Sequence, residues 1–155
     1  MFDFGGCPVE SSIGSDGMIV LLMNKNEMYN GLICKKINDR WKEPKIYYER
    51  WVGLQSRERL ASSIQHDFGK VHIVDTQQAN NKLFICHAIV DRSSIERFSE
   101  SLRKCVKSIS KNIEKTTPQI VFSRDNLGVT PEEFFYVVQP ILSEELRNAT
   151  VLLYD

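Results

Sequence analysis

The sequence predicts an α/β chain, a three-layer α/β/α domain around a central mixed sheet. Three observations predict it. Met18–Met23 is a continuous apolar run between polar residues, as in a strand buried on both faces. Ser94–Ile113 places Ile95, Phe98, Leu102, Cys105, Val106, Ile109 and Ile113 at helical spacing. Toward the end, strands and helices alternate, the pattern of a sheet covered by helices. At 155 residues the chain fits a single domain spanning 1–155.

Residues 1–17, with four glycines and one proline, read as a loop-rich opening with room for a short strand. Asn24–Gly31 is a polar loop. Ile33, Ile37 and Trp41 then fall on one helix face, and Pro44 is expected to end that helix. Tyr47, Tyr48 and Trp51 form an aromatic cluster of open structure. Ser56–Phe68 reads as a second helix, stopped by Gly69. Lys70–Thr76 and Lys82–Val90 read as a hairpin turned at Asn80-Asn81. Gln119–Phe122 is a short buried strand. Thr130-Pro131-Glu132-Glu133 is a helix start, with Thr130 as cap and Glu133 at the capping-box position. Pro140 is expected to bend that helix or open one backbone bond. Thr150–Tyr154 is the last strand.

Hydrophobic residues make up 42% and charged residues 26%, the balance of a globular protein. With 20 basic and 20 acidic residues there is no global field for nucleic acid or an anionic membrane. The longest apolar run falls far short of the roughly 20 residues a membrane helix needs. The N-terminus lacks the form of a secretory signal, so an intracellular protein, cytoplasmic or nuclear, is expected. Cys7, Cys34, Cys86 and Cys105 form no Cys-x-x-Cys pair and are expected as free thiols.

Ligands of such sheets sit at the carboxyl ends of the strands, which points to the loops at 24–31 and 123–130. Met28-Tyr29-Asn30-Gly31-Leu32-Ile33, with a helix ending in Asp39-Arg40-Trp41, resembles the macrodomain segment Met-Gly-Ala-Gly-Ile-Ala and its helix. Ser123-Arg124-Asp125-Asn126-Leu127-Gly128-Val129-Thr130, followed by Phe134, is similar to that family's Pro-Arg-Ile-Gly-x-Gly-Leu and downstream tryptophan, without a gap. Asp3-Phe4-Gly5-Gly6-Cys7-Pro8 resembles its opening Asp-Leu-Phe-x-x-Pro segment. The resemblance runs along nearly the whole chain and is closest to the compact group containing the terminal ADP-ribose protein glycohydrolase.

The resemblance implies a cleft for ADP-ribose or a related nucleotide, and ADP-ribose or an ADP-ribosylated protein as partner. Asp3 matches the residue that accepts from the adenine amino group, with Phe4 beside it. Asn30, Gly31 and Leu32 match the first phosphate loop. Asn126, Leu127, Gly128 and Val129 match the second, and Tyr154 is the candidate to pack on the base. Departures bear on chemistry. Tyr29 and Asn30 stand for Gly-Ala, Asn126 for the first glycine of the second loop, and Thr130 for the catalytic aspartate. The family's lysine matches Lys70 loosely, and its asparagine falls near Asn24. The implied function is therefore a binder with weak or absent hydrolysis. The alternatives are an ADP-ribosyl hydrolase or ADP-ribose-phosphate phosphatase rewired around Asn24, Asn30, Asp125 and Thr130, and a degenerate module that binds protein or RNA. A monomer without cofactor is expected.

Other constellations read as structure. His66, His72, Cys86 and His87 match no zinc spacing, even with His72 facing Cys86 across the hairpin, so no metal is expected. Cys105 lies on an apolar stripe and reads as core. Arg103, Lys104, Lys107 and Lys111 read as a solvated face. Trp41, Tyr47, Tyr48 and Trp51, interleaved with Lys42, Lys45 and Arg50, can stack bases but read first as core under a loop.

Overall fold

The computed structural model describes residues 2–24, 29, 31–57, 68–113 and 119–155, and of 2–4 and 54–57 only the backbone. Its strands are β1 (Phe2–Phe4), β2 (Gly17–Met23), β3 (Val71–Asp75), β4 (Leu83–Ile89), β5 (Gln119–Ser123) and β6 (Thr150–Tyr154). They form one sheet in the order β1-β6-β5-β2-β4-β3. All neighbours are parallel except β3, which runs antiparallel to β4 at the edge. The mixed sheet and the hairpin are thus as the hydrophobic pattern predicts. β2 lies in the interior and every residue of it is buried, which is why its sequence shows no alternation.

Helices cover both faces. On one side α1 (Pro8–Ser12), α2 (Leu32–Arg40) and α3 (Glu43–Arg57) pack on a cluster that includes Ile19, Leu21, Ile37, Ile85 and Tyr154. On the other, α4 (Ile95–Asn112) and α7 (Gln139–Glu145) pack on a cluster of Val20, Leu102, Ile109, Phe122 and Ile141 among others. The domain is a three-layer α/β/α sandwich.

Two differences from the expected elements have local causes. Pro44 does end α2, but α3 begins at Glu43, so the proline lies in the first turn of the next helix, where its missing N–H costs nothing. The open aromatic stretch is therefore helical: Tyr48 is buried, Trp51 half-buried and Tyr47 exposed. The helix expected at Ser56–Phe68 has only its ends among the described residues. The second difference lies around Pro140. α6 (Pro131–Glu133) runs into a π-helical turn at Phe134–Val138 and then α7. Pro140 has no N–H for the Tyr136 carbonyl, and the turn ahead of it is widened, the Gln139 N–H reaching back to Phe134.

Candidate functional site

The carboxyl ends of the parallel strands share one edge of the sheet, and the chain leaves β2, β4 and β5 there into the next helices. A cavity of about 190 Å³ opens at this edge. It is lined by Leu22, Met23 and Asn24 from the end of β2, by Gly31, Leu32, Ile33 and Cys34 from the start of α2, by Arg92 after β4, and by Asp125 and Asn126 after β5. Among the described residues, Arg92 and Asp125 are its charged side chains.

Gly31 is the N-cap of α2 at φ 96°, and no side-chain cap hydrogen bond closes that helix start. The second loop folds as a single helical turn, α5 (Arg124–Leu127). It ends on Gly128 in the left-handed conformation, φ 62° and ψ 34°, whose N–H donates to the Arg124 carbonyl. β5 ends at Ser123, before β2 does, and would leave Leu22, which pairs with Ala88 on its other side, without a ladder partner on the β5 side. The Asn126 amide fills the gap. Its Oδ1 accepts from the Leu22 N–H at 2.7 Å, and its Nδ2 donates to the Leu22 carbonyl at 3.3 Å. An asparagine here is a one-residue extension of the sheet, so its side chain is turned onto β2.

Arg92 holds the same turn from the far side. Its Nη1 donates to the Leu127 carbonyl at 2.9 Å and its Nη2 to the Asn126 carbonyl at 3.2 Å. The guanidinium carbon also lies 5.1 Å from the centroid of the Phe98 ring. A Cβ on Gly128 would come within 3.2 Å of Nη1, so both the backbone angle and the arginine call for glycine.

Of the expected site residues, Asn24, Gly31, Leu32, Asp125 and Asn126 are brought together around the cavity. Leu127 is not on it: it is buried in the core under α4, and Val129 packs against the same cluster. Gly128 lies against Arg92. Thr130 is engaged as a cap, its Oγ1 accepting from the Glu133 N–H at 3.1 Å while the Glu133 carboxylate accepts from the Thr130 N–H at 2.9 Å. Tyr154 is buried in the cluster beneath α1–α3. Asp3 and Phe4 pair by backbone with Leu153 and Tyr154, and their side chains, like all of Asn30, lie outside the described residues. Lys70 is exposed at the edge strand, its carbonyl accepting from the Ile89 N–H at 3.0 Å. Among the described residues the basic one lining the cleft is Arg92, which sequence reasoning missed by restricting the carboxyl edge to two loops. Its position directly after the β4 pattern is the signal that could have found it.

A second polar cluster lies below the first loop. His72 and His87 face each other across β3 and β4, so the expected His72–Cys86 pairing is off by one residue and Cys86 points to the other face. The Tyr29 hydroxyl lies 2.9 Å from His87 Nε2, and His87 Nδ1 lies 3.3 Å from His72 Nδ1. Both imidazoles neutral, one proton sits between the Nδ1 atoms. With that proton on His87, its Nδ1 donates to His72 Nδ1 and its Nε2 accepts from the Tyr29 phenol. Trp51 stacks on His72 at 5.2 Å between ring centroids, and Tyr48 packs on His87 at 4.6 Å with its ring tilted by 38°. Burial drives the His87 pKa down to about 3, with His72 alongside adding to the effect, and lowers that of His72. Among the described residues no group of three or more His, Cys, Asp or Glu is placed to hold a metal.

Elsewhere, a larger hollow of about 300 Å³ beside α4 is lined by Asp91, Arg97, Glu100 and Lys104 among others. These pair with one another, Asp91 with Arg97 at 3.8 Å and Glu100 with Lys104 at 3.4 Å. On the basic face of α4, Arg103 is bound to Glu144 and Glu145 at 2.7 and 3.1 Å. Cys105 is core, its thiol pushed up to about 12 by burial. No described helix is long and apolar enough to cross a membrane.

No protein-family model matches the sequence, and no curated protein matches it. Solved structures do. A macrodomain protein from Streptomyces coelicolor superposes with a TM-score of 0.73 at 16% identity, over 99% of this chain and 97% of that one. The macrodomain of Thermus aquaticus DarG gives 0.64 at 13% identity, over 99% and 97%. Thermosipho africanus DarTG in complex with ADP-ribose gives 0.63 at 11% identity, over 90% of this chain and 38% of that one. The six-stranded mixed sheet, its two helical layers and these superpositions agree: the chain has the macrodomain fold.

Proposed function

We propose that this chain binds ADP-ribose or a related nucleotide in the cleft at the carboxyl edge of its sheet, with weak or absent hydrolysis. The observation that carries the reading is the cleft itself. It joins the start of α2, the turn after β5 and a cation after β4 in one cavity. A diphosphate is bound by backbone N–H groups at a helix start and by positive charge, and this edge offers both. The Thermosipho africanus protein of the same fold is described in complex with ADP-ribose, which supports the ligand.

The weak chemistry follows from the candidate residues. Thr130 is held in a capping box and has no carboxylate to act as a base. Among the described residues Asp125 is the one acid lining the cleft, and it is exposed. Titration calorimetry with ADP-ribose tests the binding; no heat at millimolar ligand removes it. Asn24 and Asp125 on the same cavity are what favours the second reading, a rewired hydrolase. Turnover of an ADP-ribosylated protein that disappears in Asp125→Ala would establish that reading over the first.

A further inference from the structure

We infer that Tyr29, His87 and His72 form a proton-sensitive latch: the chain of three side chains ties the start of α2 to the hairpin edge of the sheet and releases it when His72 takes up a proton. The latch belongs to the fold and does not rest on the nucleotide reading.

Tyr29 anchors that helix start. It lies two residues before Gly31, the N-cap of α2, and no side-chain cap closes the helix there. Leu32, the first helical residue, is 61% exposed, so the core contacts of α2 itself begin at Ile33 and Cys34. Ahead of them Tyr29 is buried, its ring 5.5 Å from that of His87 and 6.0 Å from that of Tyr48. Among the described residues, His87 is the hydrogen-bond partner of its hydroxyl. Residues 31–34 line the cavity, so the latch sets one wall of the cleft.

The chain takes up its proton at one end. His87 is fully buried and His72 half-buried, so water reaches the pair at His72. Trp51 stacks there with 18° between the ring planes, and an indole face favours an imidazolium. The other described titratable groups packed about the chain are Tyr29 itself, Cys34 of α2 and Tyr48 of α3. The strand residues beside the imidazoles on this face are Leu21, Val74 and Ile85, all apolar. Burial, then His72, takes His87 down to about 3, and burial lowers His72 as well. The half-buried ring is thus the first to charge as pH falls.

Its charging reverses the hydrogen bonds. The neutral pair holds two ring protons, on His72 Nε2 and His87 Nδ1. After one is taken from solvent it holds three, on both nitrogens of His72 and on His87 Nε2. His72 Nδ1 then donates to His87 Nδ1, and His87 Nε2 turns from acceptor to donor toward Tyr29. The phenol must accept where it donated, and its own hydrogen loses the acceptor it had among buried rings. A buried donor without a partner is costly, and the strain is relieved by letting Tyr29 go.

The test follows ring-nitrogen and amide signals of the full chain by nuclear magnetic resonance. The Lys35 N–H, which donates to the Gly31 carbonyl at 3.1 Å, reports the start of α2. The Trp41 N–H, which donates to the Ile37 carbonyl at 2.7 Å, reports its end. Between about pH 7 and about pH 4.5, His72 is expected to gain charge while His87 stays neutral and its ring proton passes from Nδ1 to Nε2. Protection from exchange at Lys35 is expected to fall about tenfold or more, with Trp41 unchanged. In His72→Asn the amide oxygen can accept from His87 Nδ1 but takes up no proton, so Lys35 is expected to stay protected over the same range. In Tyr29→Phe, Lys35 is expected to be weakly protected throughout, with no response to acid. An acid response at Lys35 that survives in either variant would overturn the latch. Equal loss at Lys35 and Trp41 in the parent would do the same, since the helix would be loosening as a whole. A His87 tautomer that stays fixed while Lys35 loosens would overturn the reversal of the hydrogen bonds.

Discussion

At Asn126 one side chain decides whether the sheet is complete at its ligand edge. Both polar groups of the Leu22 peptide that face β5 are bound by that amide, at 2.7 and 3.3 Å. Asn126→Leu leaves a donor and an acceptor of a buried strand without those bonds, and each such loss costs about 1–3 kcal/mol. Urea denaturation is expected to show a lower midpoint with an unchanged slope. Asn126→Asp keeps the acceptor and loses the donor, so it falls between the two. If Asn126→Leu matches the parent midpoint, the amide is not a structural clasp. Sequence matching placed this residue in a phosphate loop, and the structure puts it on the wall of the cavity. Its side-chain role was illegible, because nothing in a sequence shows that β5 stops short of β2.

Two groups of elements carry the next predictions. β3, β4 and α3 enclose the His72–His87–Tyr29 chain. Burial lowers the pKa of His87 to about 3, so the folded imidazole stays neutral above that value, while the unfolded chain takes up a second ring proton below about pH 6.5. The unfolded state then binds more protons, and stability is lost as pH drops from about 6.5 to 3, by up to roughly 1.4 kcal/mol per unit for this group. His72, its pKa also lowered by burial, acts in the same direction. Denaturation midpoints at pH 7 and pH 5 are expected to differ more in the parent than in His87→Phe; equal differences would count against the buried imidazole as the cause. Between β5 and α7, the capping box at Thr130 and Glu133 was legible from four residues, because its hydrogen bonds are local. Thr130→Ala is expected to cost about 1 kcal/mol of stability and to leave ADP-ribose affinity unchanged. A loss of affinity with stability intact would return Thr130 to the cleft. The π-turn ahead of Pro140 was legible only as a disturbance. The proline announces a missing bond, but where the widening falls depends on how Val138 and Ile141 seat in the core.

For the whole molecule, the layers were legible because they follow from long patterns: an unbroken apolar β2, and an α4 with one apolar face. The cavity was legible only in part, because it is assembled from three stretches far apart in the chain, and the middle one, at Arg92, carries no motif. That assembly makes a prediction. Residues 22–24 and 31–34, Arg92, and Asp125 with Asn126 meet only when β2, β4 and β5 are in register. A ligand of this cleft therefore binds the folded chain and not the unfolded one, and stabilises it by about 1.4 kcal/mol for each tenfold excess over its dissociation constant. For a domain of this size that amounts to about 3 to 6 °C in melting temperature per tenfold increase. Thermal unfolding across a series of ADP-ribose concentrations is expected to rise linearly with the logarithm of concentration, and the rise should be smaller with adenosine. A melting temperature that stays flat to millimolar ADP-ribose would mean that the cleft, though built at the ligand edge of its fold, does not take this nucleotide.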